Sequence, residues 1–266
     1  MTLRLATDRP LLIPYVTGGL TPDWTGYLLA YQDAGADAIE VGLPFSDPML
    51  DGTTIQQASD RALQRGATPG AILDDLAAMR DRLHVPIIVM TYANLALKLG
   101  VARFAAVGVT GLIVPDLPLE ESAPLEAETE AAGIDLILLA APSTPDDRLA
   151  EICRRSRGFV YAVSVMGVTG ERTTLAPAAF SLARRLKDEL QARLPVLIGF
   201  GVSTPEQAAA GGRAGDGVVV ASALMRRVLD GANPSDVRLD VVALRAALDG
   251  GESAAQPYAE ISGDRR

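Results

Sequence analysis

The chain has 266 residues, 48% of them hydrophobic, enough to bury a sizeable core, and α/β barrels of roughly 250 residues form one domain. Acidic residues outnumber basic ones 33 to 24, a net charge of −9, and no Lys/Arg-rich run is present, which argues against a nucleic-acid surface. A single cysteine, Cys153, leaves no intramolecular disulfide and no thiolate metal cage, and no apolar run approaches the ~20 residues that cross a bilayer.

The N-terminus reads MTLRLATDRPLL and has no signal-like apolar region, so a cytoplasmic protein without a membrane partner is expected. From residue 11 onward, eight short runs rich in Val, Ile and Leu recur: 11–17, 36–42, 86–92, 111–116, 135–141, 159–165, 195–201 and 217–223. They show little polar alternation, as parallel strands covered on both faces do. Segments of helical periodicity separate them, opened by Thr21-Pro22, Thr204-Pro205 and Asn233-Pro234 and often closed by glycine. The second connection holds two expected helices, 53–65 and 69–84. Eight strand–helix units in alternation predict a single (β/α)₈ TIM barrel, with a doubly wound open sheet as the alternative. No linker divides the chain, so one domain over 1–266 is expected, with its core at about 11–250 and a polar tail at 251–266.

Barrel chemistry sits at the C-terminal ends of the strands. On the second run, alternation sends Ile39 and Val41 to one face and Ala38, Glu40 and Gly42 to the other. The branched pair suits the helix layer, so Glu40 is expected inside the barrel near its open end. A buried carboxyl has a raised pKa and can both give and take a proton. The following loop, LPFSDPMLDGTTIQQ, brings Asp47 and Asp51, each of which is equally well read as a turn or cap residue. The seventh run ends in Gly199-Phe200-Gly201 and the eighth in Ala221-Ser222, the usual place for a barrel phosphate site built from backbone N–H groups. Such a site holds a dianion without lysine, which suits an acidic protein. After the sixth run, MGVTGERTT reads as a lid or as an ordinary flexible loop.

Scarcity narrows the chemistry. The one histidine, His84, is expected to end a helix at the closed bottom of the barrel, and the two lysines, Lys98 and Lys187, fall on outer helices. No Schiff-base lysine and no zinc cluster is available, the acids form no obvious Mg²⁺ arrangement, and Cys153 reads as a helix filler. Carboxylates, hydroxyls and backbone remain.

The motifs IEVGLPFSDPMLDGTTIQ, GVTGERTT, GFGVSTPEQ, YVTGGLTPD, TYANLAL and LIVPDLPLEES occur between about residues 12 and 229, and with them the chain resembles the α subunit of tryptophan synthase. The resemblance implies retro-aldol cleavage of indole-3-glycerol phosphate to indole and glyceraldehyde 3-phosphate. It makes Glu40 and Asp51 the catalytic pair, puts Tyr161 beside the glutamate, and lines the indole pocket with Tyr15, Met90, Ile113 and Pro115. It assigns phosphate contacts to Gly170, Gly201, Ala221 and Ser222, and a closing lid to the GVTG segment, with Thr169 near Asp51. It also implies no metal and no cofactor in this chain. Pyridoxal phosphate belongs to a separate β subunit, faced by Pro44, Asp47 and Pro48, in an α₂β₂ assembly. Three departures accompany the match: Ala221 replaces a common glycine and needs a negative φ, Thr53 replaces a common proline, and a short N-terminus puts the bottom seal of the barrel in question. The functional alternatives are a stand-alone lyase releasing free indole, a feeble chain that activates a partner, and another phosphosugar barrel. The intact acid pair argues against the second and the lack of a usable lysine or histidine against the third.

Overall fold

In the computed structural model, residues 3, 5, 8–163, 177–189, 192–199 and 201–250 are described. The strands are β1 (Leu11–Thr17), β2 (Ile39–Gly42), β3 (Ile87–Met90), β4 (Val109–Ile113), β5 (Asp135–Ala140), β6 (Val160–Val163), β7 (Val196–Gly199) and β8 (Gly217–Val220). Every neighbouring pair is parallel, and β1 also pairs with β8 from Leu11↔Gly217 to Pro14↔Val220. That last pairing closes the sheet and rules out the open, doubly wound alternative.

The helices are α1 (Trp24–Asp33), α2 (Thr53–Gln64), α3 (Pro69–Met79), α4 (Ala93–Leu99), α5 (Val101–Ala106), α6 (Ala123–Ala132), α7 (Asp146–Arg155), α8 (Pro177–Arg184), α9 (Pro205–Ala214), α10 (Ser222–Leu229) and α11 (Pro234–Leu248). One expectation is corrected: α3 stops at Met79, five residues short of His84. His84 instead lies exposed in the connection to β3, where its backbone N–H donates to Gln32 Oε1 at 2.6 Å. Lys98 lies on α4 and Lys187 in the π-helical turn that extends α8, on the outer layer as expected.

Side-chain alternation sorts the strands into two cores. Leu12, Val16, Ile39, Val41, Val89 and Leu112 face the helices, whereas Leu11, Ile13, Ala38, Ile88, Ile113, Ile137 and Leu197 fill the barrel. The short N-terminus still supplies a plug at the bottom. Leu3 is 8% exposed and packs into the inner cluster, and its N–H donates to Asp135 Oδ2 at 2.9 Å. Gly158 turns there at φ +73°, and a Cβ on it would meet Leu3 Cδ2 at 2.7 Å, so the glycine makes room for the plug. The bottom seam is also tied by Asp37, which accepts the Leu12 N–H at 2.8 Å and pairs with Arg245 at 3.0 Å.

Candidate active site

Glu40 projects into the barrel as alternation requires, with Tyr15 and Ile88 as its register neighbours on β1 and β3. It is 1% exposed, and its Oε2 finds no hydrogen-bond partner among the described residues. Burial is the main cause that raises its pKa to about 8, and the charge of Asp51 adds to it. The two acids are thus electrostatic neighbours although eleven positions separate them, because the loop after β2 folds back over the strand end. Asp51 is half-buried, and its pKa is raised by burial to about 6 against an opposing hydrogen bond from the Tyr92 hydroxyl. Of the pair, Glu40 is therefore the acid that holds its proton to the higher pH.

Two tyrosines rise toward this pair, each over a glycine on the next strand. A Cβ on Gly42 would lie 1.9 Å from the Tyr15 hydroxyl, and one on Gly199 would lie 2.5 Å from that of Tyr161. Tyr15 and Tyr161 are 4% and 2% exposed, and both hydroxyls are pushed up in pKa, mainly by burial, with the charges of Glu40 and Asp51 adding to it. Met90, Pro115 and Asp51 line a cavity of about 300 Å³ together with Ile137, Leu139 and Val163. Glu40, Tyr15, Tyr161 and Ile113 do not line that cavity; Ile113 and Tyr161 are buried in the inner core.

Across the mouth, β7 and β8 lead into two helices that begin differently. The first turn of α9 is satisfied by its own side chains: Thr204 caps the Gln207 N–H, and Gln207 Oε1 accepts from Ser203 and Thr204. The first turn of α10 has no side-chain cap, and Ser222 begins it. An anion placed there meets first-turn N–H groups that no side chain caps among the described residues, and the positive end of the helix dipole. Gly201 turns at φ +88°, which favours glycine, whereas Ala221 has φ −114° and carries its methyl without strain. Thr169 and Gly170, with the rest of the GVTG segment, lie outside the described residues.

In the loop after β2, Pro44 is buried and offers no outer face, Pro48 is half-buried, and Asp47 is exposed. Met49, at 85% exposure, completes the outward surface. Two contributors escaped sequence reasoning. One is Met49, whose exposure no local pattern signals. The other is Tyr92, whose motif was recognised but whose side chain had no assigned part.

Comparison with known proteins fits this geometry. The family model described as "Tryptophan synthase alpha chain" matches residues 1–250. The chain belongs to the tryptophan synthase alpha chain family. Family members are lyases acting on indole-3-glycerol phosphate. The tryptophan synthase alpha chain of Gloeobacter violaceus is 48% identical over 80% of this chain and 79% of its own. That of Prochlorococcus marinus (strain MIT 9313) is 45% identical, over 84% and 83%. Among solved structures, a chain of Mycobacterium tuberculosis tryptophan synthase superposes with a TM-score of 0.82 at 36% identity, covering 94% of this chain and 99% of that one. A mutant tryptophan synthase α subunit from Pyrococcus furiosus gives 0.80 at 36%, covering 90% and 99%. The tryptophan synthase alpha chain fold therefore extends over nearly the whole of this chain.

Proposed function

We propose that this alpha-chain lyase runs its carbon–carbon cleavage on Glu40 and Asp51. The observation that carries the reading is a fully buried carboxyl whose Oε2 has no partner among the described residues and whose pKa is raised by burial and by the charge of Asp51 beside it. The C3–C1′ bond of indole-3-glycerol phosphate breaks only once C3 of the indole has been protonated. Neutral Glu40 delivers that proton and becomes a carboxylate. The positive charge left on the ring nitrogen is stabilised by Asp51. Glu40 then takes the proton of the adjacent glycerol hydroxyl. The C–O bond becomes a carbonyl, the C3–C1′ electron pair returns to the ring, and indole and glyceraldehyde 3-phosphate result with Glu40 again neutral. One acid serves in both steps, which a pKa near the working pH favours.

In this reading Tyr15, Met90, Pro115 and Tyr161 enclose the indole above Ile113, and the family resemblance adds Thr169. The phosphate is held by Gly201, Ala221 and Ser222 at the open start of α10, with Gly170. Each charge-assisted hydrogen bond there contributes about 1.5–3 kcal/mol, which offsets the net negative charge of the chain. Asp47, Pro48 and the exposed Met49 face a β subunit that carries pyridoxal phosphate and consumes the indole, in a cytoplasmic α₂β₂ enzyme; this chain itself needs no cofactor.

The test is Glu40→Gln. Turnover of indole-3-glycerol phosphate should fall by ~10²–10⁴-fold with substrate binding largely retained. Near-normal cleavage by this variant would remove Glu40 from the mechanism. Indole release with and without a tryptophan synthase β dimer then separates a partner-activated enzyme from a stand-alone lyase.

A further inference from the structure

The helix that follows Asp51, α2, packs against α10, and two arginines tie them together at different heights. Near the mouth, Arg226 on α10 reaches across to the beginning of α2. Its Nη2 donates to Thr54 Oγ1 at 2.9 Å and its Nη1 to Gln57 Oε1 at 3.0 Å. Lower down, Arg61 Nη1 in the last turn of α2 donates to the Leu229 carbonyl, at the end of α10, at 3.0 Å. Arg226 is half-buried and forms no ion pair among the described residues, so its two donors serve geometry and not the neutralisation of an acid. Thr54 is 2% exposed and stands in the first turn of α2, three positions after Asp51. The following turn holds the acid's backbone, because Gln56 Nε2 donates to the Asp51 carbonyl at 2.8 Å. A short series of contacts thus leads from α10, four residues past Ser222, to the segment that carries Asp51.

We propose that Arg226 is a positioning residue for the cleavage: by bracing the first turns of α2 against α10, it sets the distance between Asp51 and the phosphate end of the site. The inference rests on the roles given above to Asp51 and to the start of α10. Its physical basis is geometric. One substrate must be held by its phosphate at one helix while its indole nitrogen meets a carboxylate carried by the other. A misplacement of about 1 Å between two such groups can cost about 10²-fold in rate. The planar guanidinium fork engages two acceptors on successive turns and so resists both sliding and rotation of α2, which the single point charge of a lysine does not. Arg61 ties the same helices at the end remote from both groups and sets no such distance.

Arg226→Met keeps an apolar stem and removes both donors. In the purified full chain its kcat for indole-3-glycerol phosphate should fall about tenfold. The inhibition constant of inorganic phosphate, the probe of the phosphate end, should stay within about twofold of the parent value. Arg61→Met, which cuts the other tie, should keep kcat within about twofold. In an Asp51→Asn background, Arg226→Met should lower kcat by less than about twofold further, since the group it places is already gone. Equal effects on kcat in the two arginine variants would leave helix packing as the only role and overturn the proposal. Full additivity with Asp51→Asn would overturn it as well. So would a loss of inorganic phosphate binding as large as the loss of turnover, which would make Arg226 a direct anion ligand. Failure of the underlying reading shows elsewhere, as unchanged kinetics in Asp51→Asn or as no competition by inorganic phosphate in the parent chain.

Discussion

Two buried acids stand three positions apart, Asp37 just before β2 and Glu40 on it, and the chain treats them differently. Asp37, at the bottom seam, has a side chain 6% exposed, yet every contact around it is complementary: the Arg245 guanidinium at 3.0 Å, that of Arg9 at 2.8 Å and the Leu12 N–H. Glu40, at the top, is 1% exposed and has an oxygen with no partner among the described residues. A satisfied buried acid holds a structure together. An unsatisfied one costs stability and persists only where the unspent proton is used. On the proposed reading the barrel keeps its bottom as scaffold and its mouth as reagent, a division that barrels of this type share.

The comparison breaks if the two acids turn out to be interchangeable in their effects. The largest expected contrast is with the Glu40→Gln variant above, whose turnover collapses while its fold persists. Asp37→Ala should do the reverse. It leaves Arg245, 8% exposed at its side chain, without its inner partner, so unfolding free energy in urea should drop by about 3–5 kcal/mol, while the folded fraction keeps near-normal turnover. A stable but inactive Asp37→Ala chain would erase the division between top and bottom.

The pH dependence sharpens it. Glu40 in the folded chain titrates near 8 against an ordinary value of 4.5, so the folded state holds its proton more tightly than the unfolded one. Its contribution to stability is whole below the ordinary value and is lost as pH rises through 8. Unfolding experiments should therefore show Glu40→Gln gaining on the parent chain between pH 5 and pH 8, by on the order of 3–4 kcal/mol. A difference independent of pH would mean that Glu40 is solvated in the folded state. The same groups shape activity: kcat/KM should rise with the ionisation of Asp51 near pH 6 and fall with that of Glu40 near pH 8. The smallest effect belongs to Ala221→Gly. Because Ala221 sits at negative φ, restoring the common glycine should change KM for indole-3-glycerol phosphate by less than about threefold. A much larger gain in affinity would show that the methyl obstructs the phosphate.

Local pattern carried much of this. The apolar runs mark every strand, and β1 and β5 begin at the residues they mark, Leu11 and Asp135. Period-two alternation alone turned Glu40 inward, and the prolines after Thr204 and Asn233 marked the starts of α9 and α11. The helix before β3 was overrun to His84, because residues 80–84 continue a helical composition with no glycine to stop them. Asp51 is ambiguous as a local residue, since Asp-Gly serves turns and caps as readily as chemistry; only the family resemblance points to chemistry there.

What tertiary structure alone decided are the relations between distant segments. Leu3 packs into the inner core from an N-terminus that looked too short, the Tyr92 hydroxyl reaches back across some forty positions to the Leu50 N–H, and Gly42 and Gly199 clear space for tyrosines on neighbouring strands. The open start of α10 beside the capped start of α9 is a difference of the same kind. Side-chain periodicity is a property of a few consecutive residues and can be read along the chain. Burial, an orphaned oxygen and the charge felt from a neighbour depend on which strands closure brings side by side, and those quantities make a carboxyl into a reagent.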